Sequence, residues 1–501
     1  MDAVLSVDQG TTNTKALLVD AGGTVLARGS APVGVAFPRP GWVEQDAADI
    51  WRSVELAVRD CLAAAAGVTP AAVAVSNQRE SVVAWDRGTG RPIGPVLGWQ
   101  DARAADRCDE LARAGLGGAV RRRTGLPLDP MFSAPKMAWL LGAAGPGGAG
   151  VALGTVDAWL VWRLTGGAVF ACEAGNASRT LLFDLATLDW HDELLDAFGV
   201  PRAVLPEVRA SDAGFGVTAD LGFLPPALPV AAVLADSHAA LYQHGCRLPG
   251  SGKSTYGTGS SVMAPVARLD DPPAGVATTL AWLTGRPTYA REGNIIASGA
   301  ALAWMARTLD LPDATHLDKA AEAVDDTGGV HFVPAFSGLG APYWDRSATG
   351  LLTGVTGGTE RAHLALAALE SVAHQVADVV EAIEASPGAA IEVLHADGAA
   401  TASRRLMRIQ ADLLGRPVRV TDLPDASALG AATLARQALG LTASPVPAGS
   451  PGVEAAPAAA GTLVEPALAA GVRAARRAAW SGAVARSRVR TPLAESPGTG
   501  R

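Results

Sequence analysis

A short turn near the N-terminus has the composition of an anion-binding loop. It reads Asp8-Gln-Gly-Thr-Thr12 and lies between two apolar segments. Glycine lets backbone N–H groups approach an anion closely, and the hydroxyls of Thr11 and Thr12 add donors. Asp8 could hold Mg²⁺ through water, because this ion keeps much of its hydration and takes few carboxylates. An ordinary hairpin turn is the alternative interpretation.

A second turn of similar composition lies near the middle of the chain, from Thr255 to Ser261. It is also flanked by two strand-like segments. Two such turns facing each other across a cleft would hold a polyphosphate from both sides. The presence of the pair weakens the hairpin alternative for each turn taken alone.

A carboxylate follows the buried strand predicted over residues 229–234. Asp236 stands at the carboxyl end of that strand, the place where α/β sheets bind ligands. There it could accept a proton from a substrate hydroxyl. The competing interpretation is that Asp236 caps the helix that follows.

Three further side chains have the chemistry of a polyol site. Arg79 and Glu80 follow another buried strand, and they could donate to and accept from hydroxyl groups. A surface ion pair is the alternative for these two residues. Trp99 could form an apolar wall against the carbon face of a sugar, with core packing as its alternative.

Strands and helices that alternate along the chain must position these residues. A meander of three strands opens the sequence, over residues 4–7, 15–19 and 24–28, and a helix over residues 46–66 follows it. The strand–turn–strand pattern recurs after residue 252. We therefore predict an α/β fold of two similar lobes with a cleft between them.

The domain boundaries follow from composition. Glycine and proline cluster between residues 245 and 252, and this cluster divides an N-terminal lobe, 1–247, from a C-terminal lobe, 248–440. Residues 441–501 form an Ala/Pro-rich tail. We predict a loose loop over about 442–462, a short helix over about 465–487 and a disordered end.

Composition limits the class of protein. The chain has 501 residues, a net charge of −8, 49% hydrophobic and 18% charged residues, so it can bury a large core. The acidic balance argues against nucleic-acid binding, and no segment has the length of a membrane span. We expect a cytoplasmic protein. The cysteines lie far apart, which excludes a disulfide scaffold; they are Cys61, Cys108, Cys172 and Cys246.

Two short motifs are coincidental matches to known sites. Gly250-Ser-Gly-Lys-Ser254 is similar to the end of a phosphate-binding P-loop, but Arg247 stands where the motif needs glycine. A strand, not a helix, follows it. Ser133-Ala-Pro-Lys136 matches the SxxK pattern without the partner motifs that this pattern requires.

Taken in order, several segments resemble the FGGY family of carbohydrate kinases, and within it the glycerol kinase branch. The resemblance extends from Val4 to about Leu439. It implies two lobes of the actin, hexokinase and heat-shock ATPase type, with a ribonuclease H-like core, that close on MgATP and a polyol or sugar. The segments are Val7-Asp-Gln-Gly-Thr-Thr12, Ser76-Asn-Gln-Arg-Glu80, Thr255-Tyr-Gly-Thr-Gly259, Val333-Pro-Ala-Phe-Ser-Gly-Leu-Gly-Ala-Pro-Tyr-Trp-Asp345, Glu370-Ser-Val-Ala-His-Gln375 and Ala428-Leu-Gly-Ala-Ala432.

The resemblance implies a role for each matched position. Asp8 corresponds to the metal-associated aspartate, and Asp236 to the catalytic base. Arg79, Glu80 and Trp99 correspond to the substrate clamp. The expected ATP contacts come from both lobes: Thr11, Thr12, Lys15, Thr258, Gly259, Gly299, Gly398, Ala399 and Ser403. Of these, Ala399 replaces a second glycine of the family's adenosine motif, and Ser403 stands where glycerol kinases carry Asn.

Three expected substrate contacts depart from the glycerol kinase pattern. Met131 replaces a Tyr, Ser237 replaces a Gln, and Ser261 replaces a Phe. Smaller side chains enlarge the pocket, and lost hydrogen-bond partners leave glycerol poorly held. We therefore expect a polyol or ketose of four to six carbons to be a better substrate than glycerol, with glycerol kinase proper as the alternative.

Two alternatives of other classes stay open at this point. The chain could be a weakly catalytic regulator that binds sugar and nucleotide, or a chaperone-like ATPase of the same superfold. The presence of Asp8, Asp236, Arg79 and Glu80 argues against the first, and the predicted Arg-Glu clamp argues against the second. A homodimer or homotetramer is possible.

Overall fold

The structure is a computed structural model. It describes residues 3–65, 67–144, 150–271, 273–386, 388–421, 423–441 and 461–489. The loop predicted over 442–462 falls, apart from its last two residues, outside the described residues, as does most of the predicted disordered end.

The strands and helices alternate as the sequence predicts. The strands are β1 Ala3–Gln9, β2 Asn13–Asp20, β3 Val25–Pro32, β4 Glu44–Gln45, β5 Pro70–Asn77, β6 Val82–Asp86, β7 Val96–Leu97, β8 Val151–Thr155, β9 Ala171–Glu173, β10 Phe183–Asp184, β11 Asp189–Trp190, β12 Glu207–Arg209, β13 Val230–Ala235, β14 Gly250–Tyr256, β15 Ser260–Val266, β16 Ala277–Thr284, β17 Arg286–Ile295, β18 His331–Val333, β19 Leu351–Thr353, β20 Ile391–Asp397, β21 Val418–Val420 and β22 Thr462–Val464. The α-helices are α1 Ala47–Ala64, α2 Ala105–Arg113, α3 Gly117–Thr124, α4 Ser133–Ala144, α5 Val156–Leu164, α6 Ala174–Ala177, α7 Asp192–Phe198, α8 Asp236–Gln243, α9 Gly299–Thr308, α10 Leu317–Ala321, α11 Arg361–Glu384, α12 Arg404–Leu414, α13 Ala426–Ala438 and α14 Ala470–Ser487.

The first sheet has the strand order β13-β5-β1-β2-β3. The β1–β2 hairpin is antiparallel and brings Asp8 opposite Lys15, whereas β5 and β13 run parallel to β1. The two parallel strands are apolar and buried on both faces, as parallel strands usually are. Their carboxyl ends therefore meet at the edge of the sheet where Asp8 lies.

The second sheet repeats this order. Strands β17-β15-β14-β20-β21 correspond one by one to β3-β2-β1-β5-β13, with β16 and β22 added at the two edges. The β14–β15 hairpin is antiparallel, and β20 runs parallel to β14. This repeat confirms the prediction of two similar α/β lobes.

One helix of the second half of the chain packs against the first sheet. Helix α13 contacts α8 and strands β1, β5 and β13. The approach is close: a Cβ at Gly430 would clash with the backbone of Ala239, and Ser6 Oγ donates to the carbonyl of Ala428 at 2.6 Å. Because glycine and alanine keep the two helices close, the lobes share an apolar core beside the cleft.

Part of the predicted tail belongs to the second lobe. Strand β22 pairs with β21, so the helix predicted from about residue 465 begins only at Ala470, after Pro466. On α14, Trp480 is 1% exposed and packs among Val333, Leu339 and their neighbours.

We propose that the lobes divide between residues 247 and 248, in the connection from α8 to β14. Within the described residues, no helix has the length and apolarity needed to cross a membrane.

Candidate active site

A cavity of about 770 Å³ lies between the two sheets. Both hairpins, the start of α8 and the loop after β20 contribute to its wall. The cavity brings together six of the sequence-predicted site residues: Asp8, Lys15, Asp236, Ser237, Gly398 and Ala399. It therefore joins the predicted metal residue, the predicted base and the predicted adenosine motif in one space.

Asp8 has the features of a residue that holds a cation. Its Oδ1 atom is buried and has no hydrogen-bond partner among the described residues. Burial, together with the negative charge of Asp236, raises the pKa of Asp8 to about 6. A cation beside this carboxylate would satisfy the orphaned oxygen, so the residues present fit Mg²⁺.

Asp236 is the first residue of α8 and faces the cavity. Its carboxylate accepts the N–H of Ser237 at 2.6 Å and lies 3.3 Å from Arg79 Nε, with 36% of the side chain exposed. Burial raises the pKa of Asp236, although Arg79 opposes this shift. The residue at the helix cap position is Ala235, so the cap interpretation of Asp236 does not hold.

Arg79 and Glu80 belong to a buried ion cluster, so the surface-pair interpretation does not hold either. Arg79 contacts Glu292 on β17 at 2.6 Å, and Arg179 contacts the same carboxylate at 2.8 Å. Glu80 accepts from Arg179 Nε at 2.6 Å, and its backbone has a φ of 62°. Each arginine of the cluster thus contacts carboxylates, and each glutamate contacts an arginine. Because Glu292 belongs to the second lobe, the cluster links the two lobes beside Asp236.

The other predicted substrate contacts lie close to this cluster or to the first hairpin. Ser261 Oγ donates to Glu292 at 3.3 Å. Trp99 is 36% exposed and donates from Nε1 to Thr11 Oγ1 at 3.1 Å, so it is not a core residue. Met131 is half-buried, and its carbonyl accepts from Lys136 Nζ at 2.5 Å.

The three phosphate contacts that we predicted in the first lobe lie in different surroundings from one another. Thr11 bonds to Trp99, whereas Thr12 is exposed and neither threonine lines the cavity. Lys15 lines it and forms a 2.7 Å ion pair with Asp425.

The second-lobe turn supports the start of α9. The carbonyl of Gly257 accepts the N–H of Gly299, and the carbonyl of Thr258 accepts that of Ala300. A Cβ at Gly259 would clash with the backbone of Ile295, so only glycine fits there. Thr258, Gly259 and Gly299 therefore form one compact unit, outside the wall of the cavity.

Part of the adenosine motif is required by the local backbone conformation and packing. Gly398 has a φ of 96° and packs against the backbone of Tyr256, which requires glycine. Ala399 begins a 3₁₀ turn, so an alanine is tolerated there. Ser403 caps α12 by accepting the N–H of Leu406 at 2.9 Å, and it donates to Asp318. The Ser403 hydroxyl is thus already engaged.

Sequence reasoning missed several charged residues at the site. Glu292 and Arg179 complete the buried cluster, and Asp425 binds Lys15. His244 bonds to Asp397 at the end of β20, and this bond and Lys253 hold the pKa of Asp397 below its usual range although burial opposes them. Glu292 stands between Arg291 and Gly293 in β17, so no alternation of polar and apolar residues marks it in the sequence.

The fold and the cleft define the class of the molecule. Two α/β lobes with the same strand order enclose a cavity lined by carboxylates and lysines, which is the architecture of the actin and hexokinase superfold. Family models describe its two parts. Residues 3–242 match the N-terminal domain and residues 252–439 the C-terminal domain of the FGGY family of carbohydrate kinases. The chain belongs to this family and is a phosphotransferase with an alcohol group as acceptor.

Individual relatives are similar over most of their length. The chain is 44% identical to a glycerol kinase of Alkalilimnicola ehrlichii, covering 88% of this chain and 91% of the relative. It is also 44% identical to an apulose kinase of Pectobacterium atrosepticum, over 87% and 90% of the two chains. A Plasmodium falciparum glycerol kinase crystallised with ADP superimposes with a TM-score of 0.90, at 27% identity, covering 98% and 99%.

Proposed function

We propose that this chain transfers the γ-phosphoryl group of MgATP to a hydroxyl of a four- to six-carbon polyol or ketose, with Asp236 as general base. The observation that carries the proposal is the position of Asp236. Its carboxylate faces the cavity between the lobes, 3.3 Å from Arg79 and with part of its surface exposed. Burial raises the pKa of Asp236, which makes the carboxylate a better proton acceptor.

The proton and bond changes follow from this arrangement. The acceptor hydroxyl gives its proton to Asp236 as its oxygen forms a bond to the γ-phosphorus. The bond between that phosphorus and the β–γ bridging oxygen breaks, and ADP leaves. Mg²⁺ bound near Asp8 would neutralise charge on the phosphates when present. Arg79 holds the Asp236 carboxylate and cannot itself lose a proton, because carboxylates surround it.

Substrate preference rests on the three departures from the glycerol kinase pattern. Ser261 contacts Glu292, which in turn contacts Arg79, so this small side chain stands next to the expected acceptor site. Ser237 lines the cavity directly beside Asp236. The smaller side chains support an acceptor longer than glycerol. The 44% identity with a relative named apulose kinase also supports a sugar acceptor.

Glycerol kinase proper is the second candidate. The observation that favours it is the equal identity, 44%, with the Alkalilimnicola ehrlichii glycerol kinase. The two candidates share the same base and the same nucleotide site, and they differ in the rank order of acceptors.

An acceptor panel tests both candidates. MgATP-dependent ADP release is measured with glycerol, erythritol, the pentitols, D- and L-xylulose, D- and L-ribulose and L-fuculose, and the phosphorylated product is identified by mass spectrometry. We expect kcat/KM to be highest for one of the longer acceptors. A highest kcat/KM with glycerol would select the second candidate. ATP binding without transfer to any acceptor would contradict both.

A further inference from the structure

Lys253 is a buried cation in the wall of the cavity between the two sheets. It lies on β14, in the segment whose sequence only superficially matches a P-loop. The side chain is 1% exposed and nevertheless lines the cavity. Because neighbouring side chains of a strand point to opposite faces, Ser254 does not share this position.

The ammonium group of Lys253 lacks partners. It donates one hydrogen bond, to Thr255 Oγ1 at 3.0 Å, whereas an ammonium group has three protons to donate. Within the described part of the chain it forms no salt bridge. Burial lowers the pKa of Lys253. The acidic group that opposes this shift most is Asp397, whose carboxylate is already bonded to His244. Buried charges are normally paired, so a counter-charge is missing here.

The other lysine of the cavity is differently engaged. Lys15, on the first hairpin, is 42% exposed and pairs with Asp425 at 2.7 Å. Lys253 comes from the second hairpin and lies where the charges of both Asp236 and Asp397 act on it. It thus lines the cavity together with the expected base, beside which the γ-phosphoryl group must lie for transfer to occur.

We propose that Lys253 is a further catalytic residue, whose ammonium binds an oxygen of the γ-phosphoryl group and stabilises the charge on that group during transfer. The proposal rests on the proposed kinase function. Lys253 acts as a fixed cation and takes no part in proton transfer, because the proton of the acceptor goes to Asp236. A fixed cation in a site from which water is largely excluded stabilises such charge effectively.

The decisive experiment compares two nucleotides that differ by the γ-phosphoryl group. Dissociation constants of the full chain are measured by calorimetry for ADP and for the ATP analogue with an imido group between the β- and γ-phosphorus. For Lys253→Met we expect ADP affinity within about threefold of wild type and analogue affinity at least about tenfold weaker. The kcat with the best acceptor should fall about 10²–10³-fold.

Two variants serve as controls. Ser254→Ala changes the adjacent buried residue on the opposite face of β14, and it should keep both affinities and kcat. Lys253→Arg retains the buried positive charge and serves if Lys253→Met does not fold. Because the guanidinium presents its donors in a planar fork, we expect this variant to keep ADP affinity and to lose about tenfold or more in kcat.

The outcomes separate this proposal from the proposed function. Equal weakening of ADP and analogue binding in Lys253→Met would assign Lys253 a structural role beside Asp397, and it would overturn the proposal. Wild-type kcat in either folded lysine variant would also overturn it. Nucleotide binding needs no acceptor. If the wild-type chain phosphorylates no acceptor but the affinity difference appears, the γ-phosphoryl contact stands and only the proposed function fails.

Discussion

The carboxylate of Glu292 lies 2.6 Å from the guanidinium of Arg79 and joins the second sheet to the segment that follows β5 of the first. Arg179 contacts the same carboxylate, and the two arginines hold the pKa of Glu292 well below its usual range although burial opposes them. Arg79 in turn reaches Asp236. The orientation of the expected base thus depends on a residue of the opposite lobe.

Removal of the Glu292 charge should both destabilise the chain and weaken acceptor binding. Glu292→Gln leaves two buried arginines without their shared partner, and we expect the free energy of unfolding to fall by about 3–5 kcal/mol. The KM for the acceptor should rise because Arg79 is no longer held. Urea unfolding and steady-state kinetics measure the two effects.

The matched control removes a carboxylate from an exposed pair. Asp192 contacts Arg202 at 2.9 Å, with side chains 81% and 44% exposed. Asp192→Asn should change the free energy of unfolding by less than about 1 kcal/mol. A similarly small effect for Glu292→Gln would contradict the importance of the cross-lobe pair.

Lys136 should make the free energy of unfolding depend on pH in the alkaline range. Burial lowers the pKa of this lysine to about 8 in the folded chain, from 10.5 for the ordinary group. Lys136 therefore binds its proton less readily in the folded chain than in the unfolded chain. The loss of folding stability caused by its buried charge is complete below pH 8 and disappears as the pH rises towards 10.5. Lys136→Met should raise the free energy of unfolding by about 1–3 kcal/mol at pH 7, and by clearly less at pH 10.

Urea unfolding at the two pH values measures this difference. Lys319 is exposed, so Lys319→Met is the control and should show no such pH-dependent gain. A gain for Lys136→Met that is the same at pH 7 and pH 10 would show that the burial of its charge is not the cause.

Ser261→Phe should shift the preference towards glycerol. A phenyl ring at this position fills the space beside Glu292, and we expect the ratio of kcat/KM for the best longer acceptor to kcat/KM for glycerol to fall about tenfold or more. Ser261→Ala removes the hydroxyl without adding volume and should leave the ratio within about threefold. An unchanged ratio in Ser261→Phe would exclude Ser261 from the acceptor site.

Trp480→Ala should show that α14 is part of the second lobe. Trp480 stacks on His374 with 4.9 Å between ring centroids and donates to Asp378 at 2.8 Å. Loss of this buried ring should lower the free energy of unfolding by about 3–5 kcal/mol. Val472 on the same helix is 47% exposed, and Val472→Ala should have little effect. Equal effects in urea unfolding would mean that α14 is not anchored through Trp480.

The sequence predicts the fold better than it predicts the electrostatics of the site. Apolar periodicity and glycine turns indicate the hairpins and the two lobes, because these signals are local. The position of α13 on the first sheet is not local, since it depends on the fit of Gly430 against Ala239. Helix α14 begins at Ala470, later than the predicted start near residue 465, because Pro466 and its neighbours connect it to β22.

Within the site, single carboxylates at strand ends were predictable and ion pairs were not. Asp8 and Asp236 stand out because polar residues follow apolar runs. The partners Arg179 and Glu292 come from distant segments. Arg179 pairs with Glu80 within the first lobe, whereas Glu292 pairs with Arg79 across the two lobes. The sequence context of Lys253 does not fit a P-loop, so nothing local in the sequence indicates that this side chain lines the cavity.

The most direct test of the account is the kcat of Asp236→Asn with the best acceptor of the panel, measured as MgATP-dependent ADP release. We predict a fall of about 10²–10⁴-fold relative to wild type, with ADP affinity and thermal stability retained. Asp220→Asn changes an exposed carboxylate and should keep wild-type kcat. Wild-type kcat in a folded Asp236→Asn would contradict the assignment of Asp236 as the base.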